Sequence, residues 1–189
     1  MTNEEMKFLE ICKNNGITDK LELAHIFAQC SHESAGFTIF NENLNYSAKA
    51  LCDLFPKYFN SESANLCGRT DKNKANQEMI ANTIYGNRMG NTQNEGYKYR
   101  GRGVIQITGK NNYNTFSKWL NKEEILNNPD VVSTDAYKYL TAIWFWKTNN
   151  LKQYALQDDI STITRKINGG TFGLKERIEL LAKYKKIFN

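Results

Sequence analysis

Between Tyr85 and Gly103 the chain runs through glycine, asparagine and arginine with no hydrophobic period, while the segments on either side repeat at helical spacing. A long aperiodic stretch inside a compact domain is usually an ordered, working loop. The spacing elsewhere predicts a mainly α fold with at most a small β element. A first helix covers 3–14, with Met6, Leu9 and Ile11 on a weak stripe that stops at Gly16. Asp19, followed three residues later by Glu22, marks a helix start. Leu23, Ile26, Phe27 and Cys30 then line one face of that helix, which ends near Gly36. Ser47 caps a short helix through Leu54 that Pro56 stops, and another helix spans 74–84, ending before Gly86. Further helices are expected at 110–120, 134–148, 159–167 and, after the turn Asn168-Gly169-Gly170, at 173–187. The apolar run Thr141–Trp146 marks a core helix, which makes Trp144 and Trp146 core residues. Val104–Thr108 alternates as a short extended stretch would.

The chain has 189 residues and reads as a single domain, 1–189, with room for two lobes around a cleft. With 40% hydrophobic and 24% charged residues it has the composition of a globular protein. Two prolines and no Gly/Ser-rich run leave no linker, and so no separate binding module is expected. A net charge of +5 suits an anionic partner such as a bacterial wall, but many proteins of no such habit carry as much. The basic residues are scattered rather than striped with aromatics, which argues against nucleic acid. The opening MTNEEMKFLEICKNNG, with early acids and polar interruptions, does not read as a signal peptide. No apolar run reaches the roughly 20 residues that span a bilayer. The expectation is synthesis in the cytoplasm without self-export or membrane insertion. Cys12, Cys30, Cys52 and Cys67 form no CxxC pair and His25 and His32 are the only histidines, so no metal site is read. The four thiols are expected to be reduced and mostly buried. Cys30 and His32 lie two apart on one helix, so their side chains diverge and make a poor nucleophile–base pair.

Glu33 is the most informative acid. Ile26, Cys30 and Glu33 fall at i, i+4 and i+7, so an apolar face ends in a carboxyl, and lost hydration there would raise its pKa toward that of a general acid. Taken alone, it also reads as an exposed residue at a frayed helix end. Glu42 follows past Gly36, flanked by Asn41 and Asn43, either as a solvated loop acid or as a second carboxylate. Inverting glycosidases hold such a pair roughly 6.5–9.5 Å apart, leaving space for a water. The loop Tyr99–Lys110 is glycine-rich, but it is not a phosphate cradle. Five residues separate Gly103 from Gly109, Asn111 follows Lys110, and Gln106 stands where a third glycine would be needed. In an extended stretch Gln106 and Thr108 point the same way, as one polar wall or as an ordinary half-exposed strand.

The strings His32-Glu33-Ser34-Ala35-Gly36-Phe37, Glu42–Ala48, Gly86–Asn91, Tyr99–Gly109, Trp144-Phe145-Trp146 and Ile167-Asn168-Gly169-Gly170 occur in one order over about residues 20–185. In that order they resemble glycoside hydrolase family 19, and the short link between the two acids resembles its bacteriophage endolysin branch. The resemblance implies a lysozyme-like, mainly α fold of two lobes around a sugar-binding cleft, and inverting hydrolysis without cofactor or metal. It makes Glu33 the general acid, Glu42 the general base, and Thr108 the residue that holds the attacking water. Gln106, Asn112 and Asn168 match positions that contact N-acetyl sugars, and Arg177 matches an arginine near the acids. Tyr46 and Tyr99 are candidates for the cleft wall. Ala35 stands where the family often has glycine, so the turn there is a point of difference. The implied activity is that of a monomeric endolysin cleaving β-1,4 bonds of peptidoglycan at the wall or periplasm after release. A chitinase acting on chitin oligomers is the rival within the family. A non-catalytic sugar-binding module is the rival outside enzymes, and the presence of both acids and Thr108 argues against it.

Overall fold

The computed structural model describes residues 1–189. The helices in chain order are α1 (Asn3–Asn14), α2 (Lys20–Glu33), α3 (Ala48–Leu54), α4 (Ser61–Cys67), α5 (Gln77–Tyr85), α6 (Lys110–Leu120), α7 (Glu124–Asn127), α8 (Leu140–Thr148), α9 (Lys152–Leu156), α10 (Ile160–Asn168) and α11 (Leu174–Phe188). A 3-10 turn, Pro129–Ser133, precedes α8. No sheet forms; an isolated bridge joins Ser47 and Arg69. The chain is mainly α, as expected from its periodicity.

Two compact units are present. The first comprises Met1–Phe40, Arg102–Gln106 and Val131–Asn189; the second comprises Asn41–Gly101 and Ile107–Asp130. In the first, α2 and α11 pack together over a core of interleaved rings. Phe8 lies 4.8 Å from Phe27 and 5.4 Å from Phe37, and Phe27 lies 5.3 Å from Tyr184, between ring centroids. All four are essentially inaccessible, and each such side chain contributes about 1.5–3 kcal/mol by leaving water. Trp146 joins this core, and Trp144 is buried as well, as the apolar run of α8 predicts. The second unit has its own smaller core of Leu44, Leu51, Phe59, Ala64, Cys67, Ile80, Ala81 and Ile84, drawn from α3, α4, α5 and their flanks.

The helix starts follow their caps. Asp19 accepts from the backbone of Leu21 and Glu22, both at 2.9 Å. Glu22, read as the partner of that cap, is instead turned inward, where it accepts from Trp146 Nε1 at 3.0 Å. Ser47 Oγ caps α3 by accepting from Ala50 N at 3.1 Å. The helix expected from residue 74 begins at Gln77, because Asn76 Oδ1 takes Met79 N at 3.0 Å while the Asn76 N–H donates to Cys67 O. The helix expected from residue 134 begins at Leu140. The Lys138 carbonyl accepts from Val104 N and from Thr141 Oγ1, so it does not take the N–H of Ala142, which donates to Tyr139 O instead. The short helices α4, α7 and α9 have no counterpart in the sequence reading.

The extended stretch expected at Val104–Thr108 does not form. Gly103 N donates to Phe40 O, Val104 N to Lys138 O and Gln106 N to Gly103 O, so these donors serve three separate partners instead of a ladder. Gln106 sits at φ +54 and Gly103 at φ +79. A Cβ on Gly103 would lie 2.5 Å from Thr141 Cγ2, which leaves glycine as the side chain that fits. Gln106 and Thr108 therefore do not share a strand face. The four cysteines are free; Cys12, Cys30 and Cys67 are buried and Cys52 is half-buried. Burial pushes the Cys30 thiol well up, away from any nucleophilic role.

Candidate active site

In the first unit the site is built on the end of α2. Ile26 and Cys30 are buried on the face that Glu33 completes, as the spacing predicts. Ser34 closes the helix: its Oγ donates to Cys30 O at 2.6 Å and accepts from Phe37 N at 3.0 Å. Ala35 takes φ +48 and Gly36 φ +73, so the chain turns away directly after the acid. The surroundings of Glu33 differ from the apolar setting expected. Its carboxylate accepts from Arg177 Nη2, and the other Arg177 Nη donates to Gln29 Oε1. Gln29 Nε2 in turn donates to Thr164 Oγ1 at 3.1 Å. A polar relay thus runs from α10 through α2 to α11 and ends on the acid. Arg177 is 1% exposed, whereas the Glu33 side chain keeps 19%, enough to meet a ligand. Arg177 Nε has no partner. Beside the acid, His32 Nδ1 pairs with Glu176 at 3.1 Å, and burial followed by the nearby Arg177 charge lowers its pKa.

In the second unit the site is built on Glu42. Its N–H donates to Gly101 O at 2.8 Å, and its Oε2 accepts from Gly101 N at 2.9 Å. Its Oε1 accepts from the Tyr85 hydroxyl at 2.6 Å. Tyr85 ends α5, and burial, then the Glu42 charge, pushes its phenol far up, so it remains a donor. Arg100, just before Gly101, is anchored by Tyr113 OH, which donates to its carbonyl at 2.6 Å. Tyr46 is half-buried, packs edge-on against Phe55 at 5.4 Å, and has its hydroxyl pKa raised by burial and by Glu42. Thr108 precedes α6, and its carbonyl accepts from Asn112 Nδ2 at 2.9 Å.

The remaining candidates occupy mixed positions. Gln106 belongs to the first unit, and its amide donates to Gly103 O at 2.9 Å. Asn168 is exposed and uses both ends of its amide on its own loop, accepting from Gly170 N and donating to Phe172 O. Tyr99 is not a wall residue: it is 2% exposed, packs edge-on against Tyr113 at 5.3 Å, and donates to Leu126 O. Its ring is enclosed by Tyr113 of α6, and its hydroxyl is spent on the Leu126 carbonyl. Gln29, Thr164 and Tyr85 were not foreseen. Gln29 lies one helical turn before Glu33, which is a usable signal; Tyr85 carries no local one.

A helical scaffold bearing two separately anchored carboxylates is what a carbohydrate hydrolase of the lysozyme-like class presents. A family model described as class I chitinase, of glycoside hydrolase family 19, matches residues 9–165. A glycosyl hydrolase family 19 domain-containing protein of Haemophilus influenzae is 42% identical over 168 residues, covering 87% of this chain and 79% of that protein. An acidic endochitinase of Petunia hybrida is 48% identical over 64 residues, which are 33% of this chain but 22% of the plant protein. Chitinase C from Streptomyces griseus shares the fold at a TM-score of 0.62, with 100% of this chain and 84% of that one covered at 19% identity. A class IV chitinase from Zea mays shares it at 0.55, covering 100% of this chain and 79% of that one at 19% identity. The chain belongs to glycoside hydrolase family 19, and it is a glycosidase.

Proposed function

We propose that this glycosidase is an endolysin-type peptidoglycan hydrolase that cleaves β-1,4 bonds of the wall glycan with inversion. Glu33 protonates the glycosidic oxygen as general acid. Glu42 takes a proton from the water that attacks the anomeric carbon, and Thr108 orients that water. Gln106, Asn112 and Tyr46 contact the N-acetylated sugars. Arg177 fixes the Glu33 carboxylate, and Asn168 shapes the loop beside it. No metal or cofactor is needed by this chemistry, and the enzyme acts as a monomer on the wall after its release. The observation that carries the reading is the anchoring of each acid. Glu33 is gripped by a buried guanidinium and Glu42 by one amide and one phenol, so each holds a fixed direction. The net charge of +5 supports an anionic wall as substrate.

The second reading is hydrolysis of chitin oligomers, favoured by the endochitinase names of the plant relatives. Mass spectrometry of digested sacculi and of digested chitin oligomers, with the product anomer followed by NMR, separates the two. Muropeptides carrying a newly formed reducing end in the α-configuration are expected. Release from chitin alone would overturn the peptidoglycan assignment, and a β-anomer product would overturn inversion. Glu33→Gln is expected to abolish turnover.

A further inference from the structure

Phe172 is 82% exposed, more than any other large apolar side chain of this protein. Leaving a phenylalanine in water forgoes about 1.5–3 kcal/mol of burial, yet the loop that carries it is built to hold it there. Asn168 pins the segment at both ends of its amide, at 2.8 Å to Gly170 N and 2.9 Å to Phe172 O. Gly169 and Gly173 turn the backbone at φ +75 and +69. Gly173 also lies hard against His32: a Cβ there would come within 2.4 Å of the ring. His32 is the neighbour of Glu33, and Gly173 O accepts from the N–H of Arg177, whose guanidinium holds Glu33. The ring is therefore presented by an ordered loop, one residue from a contact beside the acid, within the same compact unit.

We infer that Phe172 is a specificity-determining residue: an aromatic platform for one pyranose ring of the glycan, close to the sugar that Glu33 protonates. The inference rests on the glycosidase reading of Glu33. A pyranose in a β-1,4 chain presents an apolar C–H face, which an aromatic ring covers without hydrogen bonds. Having no polar atom, Phe172 gains the same contact in the bound substrate as in the transition state. Such uniform binding lowers KM and leaves kcat unchanged.

The test compares Phe172→Ala and Phe172→Trp with the parent protein on wall glycan strands and on soluble β-1,4 N-acetylglucosamine oligomers. Phe172→Ala is expected to raise KM about three- to tenfold, the size of one aromatic contact, with kcat and melting temperature held. Phe172→Trp is expected to restore or improve KM. Calorimetric titration of the same oligomers and strands into Glu33→Gln, with and without Phe172→Ala, reads the contact without turnover and should show the same loss of affinity. KM and affinity within twofold of the parent's in Phe172→Ala would overturn the inference while leaving the role of Glu33 intact. So would a fall in kcat with KM constant. A change confined to self-association in sedimentation would assign the ring to a contact between copies and overturn it as well. If Glu33→Gln turns over normally, the catalytic reading fails instead, and the titrations still decide whether Phe172 holds sugar.

Discussion

Replacing Arg177 by methionine tests whether Glu33 depends on its partner. The guanidinium is 1% exposed and serves two acceptors, Glu33 and Gln29. Removing one member of a buried ion pair strands the other, at a cost of about 3–5 kcal/mol. The Glu33 side chain retains 19% exposure and part of its hydration, which places the loss at the lower end, about 3 kcal/mol. For a protein of this size that lowers the melting temperature by about 6–12 °C. The informative experiment is the cycle with Glu33→Gln, a substitution that strands no anion when the arginine goes. In that background Arg177→Met should cost about 1 kcal/mol, leaving a coupling of about 2 kcal/mol between the two positions. Urea denaturation of the four proteins at one pH measures it. Equal losses in both backgrounds, within about 0.5 kcal/mol, would refute the claim that the ion pair carries the stability. Glu33→Gln should itself lose some stability, since it leaves a buried cation with a neutral amide.

Tyr85→Phe removes the hydroxyl that points Glu42, and a hydrogen bond to a charged group is worth about 1.5–3 kcal/mol; kcat/KM should fall at least about tenfold with the circular dichroism spectrum unchanged, and an unaltered rate would remove Tyr85 from the machinery. Gly103→Ala forces a side chain into φ +79 and to 2.5 Å from Thr141, which should cost about 2–5 kcal/mol; a melting temperature matching the parent's would show that the turn accommodates a methyl group. Acid should destabilise the fold in two stages. Burial holds the His25 and His32 pKa values below the ordinary 6.5, so the unfolded chain binds more protons and stability falls as pH drops below 6.5. Glu4 is held down to about 2 by Lys138, Tyr139 and Lys7, and Asp135 to about 2 by Lys138 and Lys7. Their contribution is present above the unfolded carboxylate range and is lost as pH falls toward 2. A melting temperature constant from pH 7 to pH 3 would contradict both stages, and His25→Gln should weaken the first.

Local chemistry was legible where it was self-contained. Asp19 and Ser47 cap their helices within one turn, and Ile26 and Cys30 are buried on the face that ends at Glu33, as read. The misreadings involve partners distant in sequence. Alternating residues at Val104–Thr108 look like a strand, but the backbone there answers to Phe40 and Lys138. Tyr99 looks like a wall aromatic until Tyr113 and Leu126 enclose it. The setting of Glu33 could not be inferred from α2 alone, because its guanidinium comes from α11. Tyr85 ends a helix without distinction and matters only because the chain brings it back to Glu42, 43 residues earlier. The motif order conveyed which acids to examine, and tertiary contacts determine what surrounds them.

Arg177 reaches Glu33 from 144 positions further along the chain. A ribosome therefore releases α2 long before it supplies the group that steadies the acid at its end. Domains take shape as they emerge, N-terminal portion first, so a nascent or prematurely terminated chain lacking α11 has the carboxyl but not its clamp. The steadied form of the acid therefore arises only late in synthesis, once α11 has been made.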